Sequence, residues 1–132
     1  MFHRDFIDYH SEKFEDFSLM VFKDKKLIAV LPANRKDNSL CSHQGLSYGG
    51  FVVSKNIRIL EYISAFSALL RWLKSEGLSE IIIKQLPFIY HKHLAEEFEF
   101  LLRELDSRII ANNSYYVLDC LKQYKPNRNR LR

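Results

Sequence analysis

Histidine, glutamine and tyrosine fall close together in one glycine-bearing stretch, Ser42-His43-Gln44-Gly45-Leu46-Ser47-Tyr48-Gly49-Gly50. A neutral imidazole titrates near physiological pH, so His43, with Gln44 beside it, has the chemistry to contact an acceptor group or assist a proton transfer. The same pair would equally serve as hydrogen-bonding groups that finish a strand. Tyr48 precedes Gly49 and Gly50. Glycines let a ligand approach the backbone, and an aromatic ring offers its face to a sugar or a nucleotide. A tight turn with a packed tyrosine is the plainer alternative. His43, Gln44, Tyr48, Gly49 and Gly50 are therefore the candidate substrate-binding residues, and the sequence assigns no catalytic residue.

Other groups with reactive chemistry read as structural. His91 and His93 flank Lys92 at the expected start of a helix, where side chains two positions apart point in different directions, so a shared metal is not expected. Cys41 and Cys120 have no CxxC partner or metal-ligand spacing and read as buried free thiols in a reducing compartment. Tyr62, Phe66 and Trp72 lie on or beside the apolar stripe of a helix and read as core.

The elements that must position the loop follow from period and punctuation. Within 132 residues there is room for one core, and a hydrophobic fraction of 47% with 27% charged residues is that of a folding chain. Two short apolar runs, 17–23 and 27–33, flank the polar turn Asp24-Lys25-Lys26 and predict a β-hairpin. A turn at 35–38 then leads into residues 39–44 as a third antiparallel strand of the same meander. Pro32 has no amide donor and predicts a sheet edge or a bulge. Ile59, Ile63, Phe66, Leu70 and Leu73 recur at helical spacing, predicting a helix over about 55–76, capped by Ser54 and ended by Gly77. Residues 80–86 predict a buried strand, and strand, helix, strand implies a parallel crossover pair. A second helix is expected over roughly 91–105, with Leu94, Phe98, Leu101, Leu102 and Leu105 inward and Glu96, Glu97, Glu99 and Glu104 outward. A last strand region is expected in 109–121.

Charge excludes one class of partner for most of the chain. The formal net charge is +4, but Lys122, Lys125, Arg128, Arg130 and Arg132 lie in the last eleven residues with no acid among them. Without those five, fifteen basic and sixteen acidic side chains remain. The body is not a nucleic-acid binder by charge. No apolar stretch reaches the roughly 18–20 residues of a membrane span, and the polar start is not that of a signal peptide, so a cytoplasmic location is expected.

This order of segments resembles the GNAT acyltransferase fold: a mixed α/β (α+β) sheet with an antiparallel meander, a βαβ crossover and a second helix. That fold carries a pyrophosphate cradle for acyl-CoA before its long helix, reading Arg or Gln, two residues, Gly, one residue, then Gly or Ala. Counted from Gln44, Ser47 stands where the first glycine is required, so the resemblance implies a degenerate cradle and no cofactor bound by this chain.

A closer resemblance is to Fem-like transferases, which are built from two GNAT-like halves. Their first half commonly shows a hairpin ending in Leu-Pro, a Tyr-Gly-Gly segment, the long helix and a strand ending in Leu-Pro. Here these correspond to Val30-Leu31-Pro32-Ala33-Asn34-Arg35, Tyr48-Gly49-Gly50 and Ile83-Lys84-Gln85-Leu86-Pro87, the last followed by Tyr90-His91-Lys92. The correspondence covers nearly all of residues 10–121. It implies a GNAT-like domain over 1–121, with 122–132 opening a helix into a second half that these residues do not include.

The function so implied is transfer of an acyl or aminoacyl group, from acyl-CoA or aminoacyl-tRNA, to an amine on a nucleotide-linked sugar or cell-envelope precursor. The chain alone would be inactive. The alternative is a non-catalytic binding or dimerisation module with a degenerate acyl-CoA site. Uncovering the face that would meet a second half also predicts a homodimer.

Overall fold

The computed structural model describes residues 5, 8, 9, 12–92, 96–114, 117 and 121. Its strands are β1 (Glu15–Asp16), β2 (Leu19–Lys23), β3 (Lys26–Leu31), β4 (Asn34–Lys36), β5 (Ser39–Cys41), β6 (Val52–Val53) and β7 (Glu80–Ile82). Its helices are α1 (Ile59–Ser75) and α2 (Glu97–Glu104), with a 3-10 turn at Phe88–Tyr90. The fold is mixed α+β. One sheet runs β1-β4-β5-β7, mixed because β5 and β7 are parallel, and a second, antiparallel sheet runs β2-β3-β6.

The predicted hairpin forms with one register from Glu15 opposite Arg35 to Val21 opposite Ala29, and a bulge shifts the pairing beyond Val21. Asp24 and Lys25 turn it, both at positive φ as a tight hairpin turn matched to strand twist requires. Pro32 divides this ladder between the two sheets, because it cannot donate a bond. Across the break the chain improvises. Phe17 N–H donates to Ala33 O at 2.9 Å, and Ser18 Oγ accepts from Ala33 N at 3.3 Å.

That division splits the expected meander between the two sheets. Residues 39–41 pair antiparallel with β4, which prolongs the hairpin's second arm beyond Pro32, while the third strand beside β3 is β6. Asp37, at positive φ, makes the β4–β5 turn short. The crossover expectation holds: β5 and β7 are parallel, with Leu40 opposite Ile81 and Cys41 opposite Ile82.

The long helix begins later than its apolar period predicts. Ser54 does not cap it: Ser54 N–H donates to Ile28 O at 2.9 Å, prolonging the β3–β6 ladder, and the N-cap position falls to Arg58. The helix starts at Ile59, where Glu61 reaches back to accept the Arg58 main-chain N–H at 3.3 Å and also pairs with Lys23. Gly77 ends the helix as predicted, at φ 78°, with Gly77 N–H donating to Lys74 O and Leu78 N–H to Leu73 O. The buried stripe is Tyr62, Ala65, Phe66, Leu69 and Leu73. Ile59 is exposed, and Trp72 is half-exposed, stacked on Phe17 with ring centroids 5.8 Å apart.

Glu61 supports a pH prediction. Its bond to Lys23, then its bond to the Arg58 amide, holds the carboxyl below its ordinary value. A depressed carboxylate contributes stability that is present above its unfolded pKa and lost as pH falls through the folded one. Thermal unfolding followed from about pH 6 down to about pH 3 should show a shallower acid decline in Glu61→Gln than in the parent. Parallel curves would remove Glu61 from the acid response.

The core joins both layers. Leu31 and Leu40 of the two sheets are fully buried and Leu73 of α1 nearly so. Phe51 sits edge-on to Tyr62 and Phe66, and Phe66 meets Phe98 at 5.6 Å, so the aromatic chain runs from the loop through α1 to α2. Burial raises the Tyr62 phenol above its ordinary pKa.

The second helix is shorter than predicted. It spans Glu97–Glu104, with Leu101 buried and Phe98 and Leu102 partly so, while Leu105 is half-exposed. Leu94 and His93 lie outside the described residues. Residues 109–114 form no strand and are exposed. The rest of the expected last strand, apart from Val117 and Leu121, lies outside the described residues, as do Cys120 and the basic tail. Among the described residues no helix is long and apolar enough to cross a membrane.

Candidate functional site

The loop after β5 stands at the carboxyl ends of the parallel β5–β7 pair, the end at which open α/β sheets receive ligands. Cys41 lies opposite Ile82, and the next parallel partners are Gly49 and Gln85. Residues 42–48 therefore loop out between two pairings, while Ile83 and Lys84 span the same gap directly.

Three side chains hold the loop. Ser42 N–H donates to Ile82 O at 2.8 Å, and Ser42 Oγ accepts the Lys84 amide at 2.7 Å, so the hydroxyl stands in for a missing strand carbonyl. Asn34, fully buried on β4, accepts the Gln44 amide on Oδ1 at 2.7 Å and donates from Nδ2 to Gln44 Oε1 at 3.0 Å. From beneath, the Lys84 ammonium donates to Gln44 O at 3.1 Å and Leu46 O at 2.9 Å.

The candidate residues are placed as follows. His43 is 1% exposed, at φ 40°, with its ring edge-on to Phe14 and its amide donating to Cys41 O. Gln44 is half-buried and engaged by Asn34. Tyr48 is half-buried and meets the half-exposed Tyr90 with ring centroids 5.8 Å apart. Gly49 donates its amide to Lys84 O at 2.7 Å, and a Cβ there would lie 2.6 Å from Ser42 O. Gly50, at φ 114°, faces Ile83. The structure thus separates these residues: His43 and Gln44 turn into the protein, and Tyr48, half-buried, packs on Tyr90.

The loop amides of Ser42, His43, Gln44, Leu46 and Gly49 all donate within the chain. Phe51, β6 and the turn at 54–57 separate Gly50 from the α1 N-terminus. A phosphate cradle sets several outward-facing amides at a helix start, and the glycines of this loop do not lie at the start of α1.

The remaining candidates carry structural geometry. His91 Nε2 lies 3.3 Å from Leu86 O. The described residues include no cluster of metal-ligand type. Cys41 is buried and free, and burial raises its thiol pKa. Sequence reasoning missed Asn34, Ser42, Lys84 and Tyr90. An amide side chain inside a short strand, as at Asn34, is the signal that would have found the first, since a buried amide requires partners.

Comparisons of the chain with protein-family models, curated proteins and solved structures return no match. The site therefore stands on its own geometry.

Proposed function

We propose that this chain is the acceptor-side, GNAT-like domain of a Fem-like N-acyltransferase, presenting an amine-bearing, nucleotide-linked sugar or envelope precursor to a donor held by a second GNAT-like half. The observation that carries this reading is the Tyr48–Tyr90 ring pair at the carboxyl ends of β5 and β7. Phe88 beside it is 75% exposed, so the turn after Pro87 offers aromatic surface to a flat ring.

In such a transfer the deprotonated amine attacks the carbonyl carbon of a thioester or ester. The thiolate or alkoxide leaves, and a base takes the amine proton. The amides of Ser42, His43, Gln44, Leu46 and Gly49 donate within the chain, and His43 is buried. The loop's part in the reading is to hold and orient the acceptor, while oxyanion donors and the base come from the other half.

Calorimetric titration of the chain with a nucleotide-linked amino sugar, and separately with acetyl-CoA, tests the proposal. The amino sugar should bind saturably, and Tyr48→Ala or Tyr90→Ala should weaken it by roughly tenfold. Acetyl-CoA should give no saturable heat. Saturable acetyl-CoA binding, or amino-sugar binding indifferent to both tyrosines, overturns the reading.

A second reading, a non-catalytic binding module, is favoured by the way Asn34 and Lys84 close the loop on itself. It predicts the same amino-sugar titration but no acyl transfer by the whole protein.

A further inference from the structure

Among the described residues β7 has a strand partner on one side only. The main-chain groups of Glu80, Ile82 and Lys84 face β5 and its loop: Glu80 N–H donates to Asn38 O, Ile82 O accepts from Ser42, and Lys84 both donates to Ser42 Oγ and accepts from Gly49. Alternation along a strand then turns the N–H and C=O of Ile81 and Ile83 to the opposite, open edge. Their side chains are packed against the core, so the edge is anchored. Native sheets blunt such edges with charge, proline or a bulge, and Ile81-Ile82-Ile83 has none of these.

The same chain carries a segment suited to that edge. Arg108-Ile109-Ile110-Ala111 follows α2 and is β-branched at its centre. Ile109 is 81% exposed and Ile110 64%, with no strand partner among the described residues. Two adjacent isoleucines stay mostly exposed in one copy, whereas laid against Ile81 and Ile83 of another they would gain main-chain bonds and apolar cover together.

We propose that two copies of this chain associate by reciprocal strand addition, with residues 108–111 of each pairing along the open β7 edge of the other. The exchange is isologous, since each copy gives one strand and receives one, so it closes at two. It is independent of the acyltransferase reading, because the edge lies on the side of β7 away from the Tyr48 loop.

Sedimentation velocity of the full chain across micromolar to millimolar concentration, paired with amide hydrogen exchange, provides the test. The expected result is a concentration-dependent dimer in which the Ile81 and Ile83 amides become protected as dimer forms. Ile110→Pro removes a donor at an exposed position and should raise the dimer Kd by at least about tenfold, as should Ile109→Lys, both with the monomer's circular dichroism retained. Met20→Lys, on the exposed face of β2, should leave the Kd unchanged. A monomer at every concentration overturns the proposal. So does a dimer that survives both segment variants, or protection of Ile81 and Ile83 independent of concentration, which would mean the segment closes on its own sheet.

Discussion

Gly49→Ala is expected to destabilise the protein by about 3 kcal/mol, with a matching fall in the urea midpoint at unchanged slope. Elsewhere a Gly→Ala change at an ordinary φ stabilises by roughly 0.4–1 kcal/mol, because it restricts the unfolded chain. The sign reverses here because the new methyl would lie 2.6 Å from Ser42 O and 2.8 Å from both Ser42 Cβ and Oγ. Ser42 is fixed from two sides, by the Ile82 carbonyl and the Lys84 amide, so it has nowhere to move. Gly77→Ala is the internal comparison. A Cβ there meets nothing within 4 Å, and only the left-handed backbone at φ 78° resists it, at about 1 kcal/mol. Equal or inverted costs for the two variants would show that Gly49 is not packed against Ser42 as described.

Asn34→Leu should cost about 2–4 kcal/mol although it keeps the branched shape of the side chain and removes polar atoms from the core. The loss falls on Gln44, whose amide N–H and side-chain oxygen would both lose their partner, and a stranded buried polar group costs roughly 1–3 kcal/mol. Gln44→Ala keeps the main-chain bond to Asn34 Oδ1 and should cost only about 1 kcal/mol. Hydrogen exchange reads the distinction directly: the Gln44 amide should lose protection in Asn34→Leu and keep it in Gln44→Ala. Retained protection in Asn34→Leu would release Asn34 from the role assigned to it.

The parts of the fold that were legible depend on local pattern. Alternation around Asp24-Lys25 marks the hairpin, three- and four-residue spacing marks α1, and Gly77 marks its end. The helix start was misread because Ser54 has the chemistry of a cap and an amide that β3 claims first. The division of the meander between two sheets was not foreseen, because Pro32 does more than mark a sheet edge: it passes one hairpin from one sheet to another. At the loop, residue types drew attention to the stretch between the two parallel pairings but not to how each of its side chains is held. The position of Gln44 is decided by Asn34, and those of Gly49 and Leu46 in part by Lys84, partners that lie outside the stretch itself.

The split between near and distant partners also sets an order of assembly. The hairpin closes across two turn residues, on the microsecond scale of such elements. The bond between Ser42 and Lys84 spans 42 positions and cannot form until α1 has brought β7 back to β5. The loop that displays Tyr48 therefore acquires its shape late, after the framework that carries it. A ligand held by Tyr48 and Tyr90 would act as a brake on unfolding while leaving the speed of folding untouched, since at the folding barrier its seat does not yet exist.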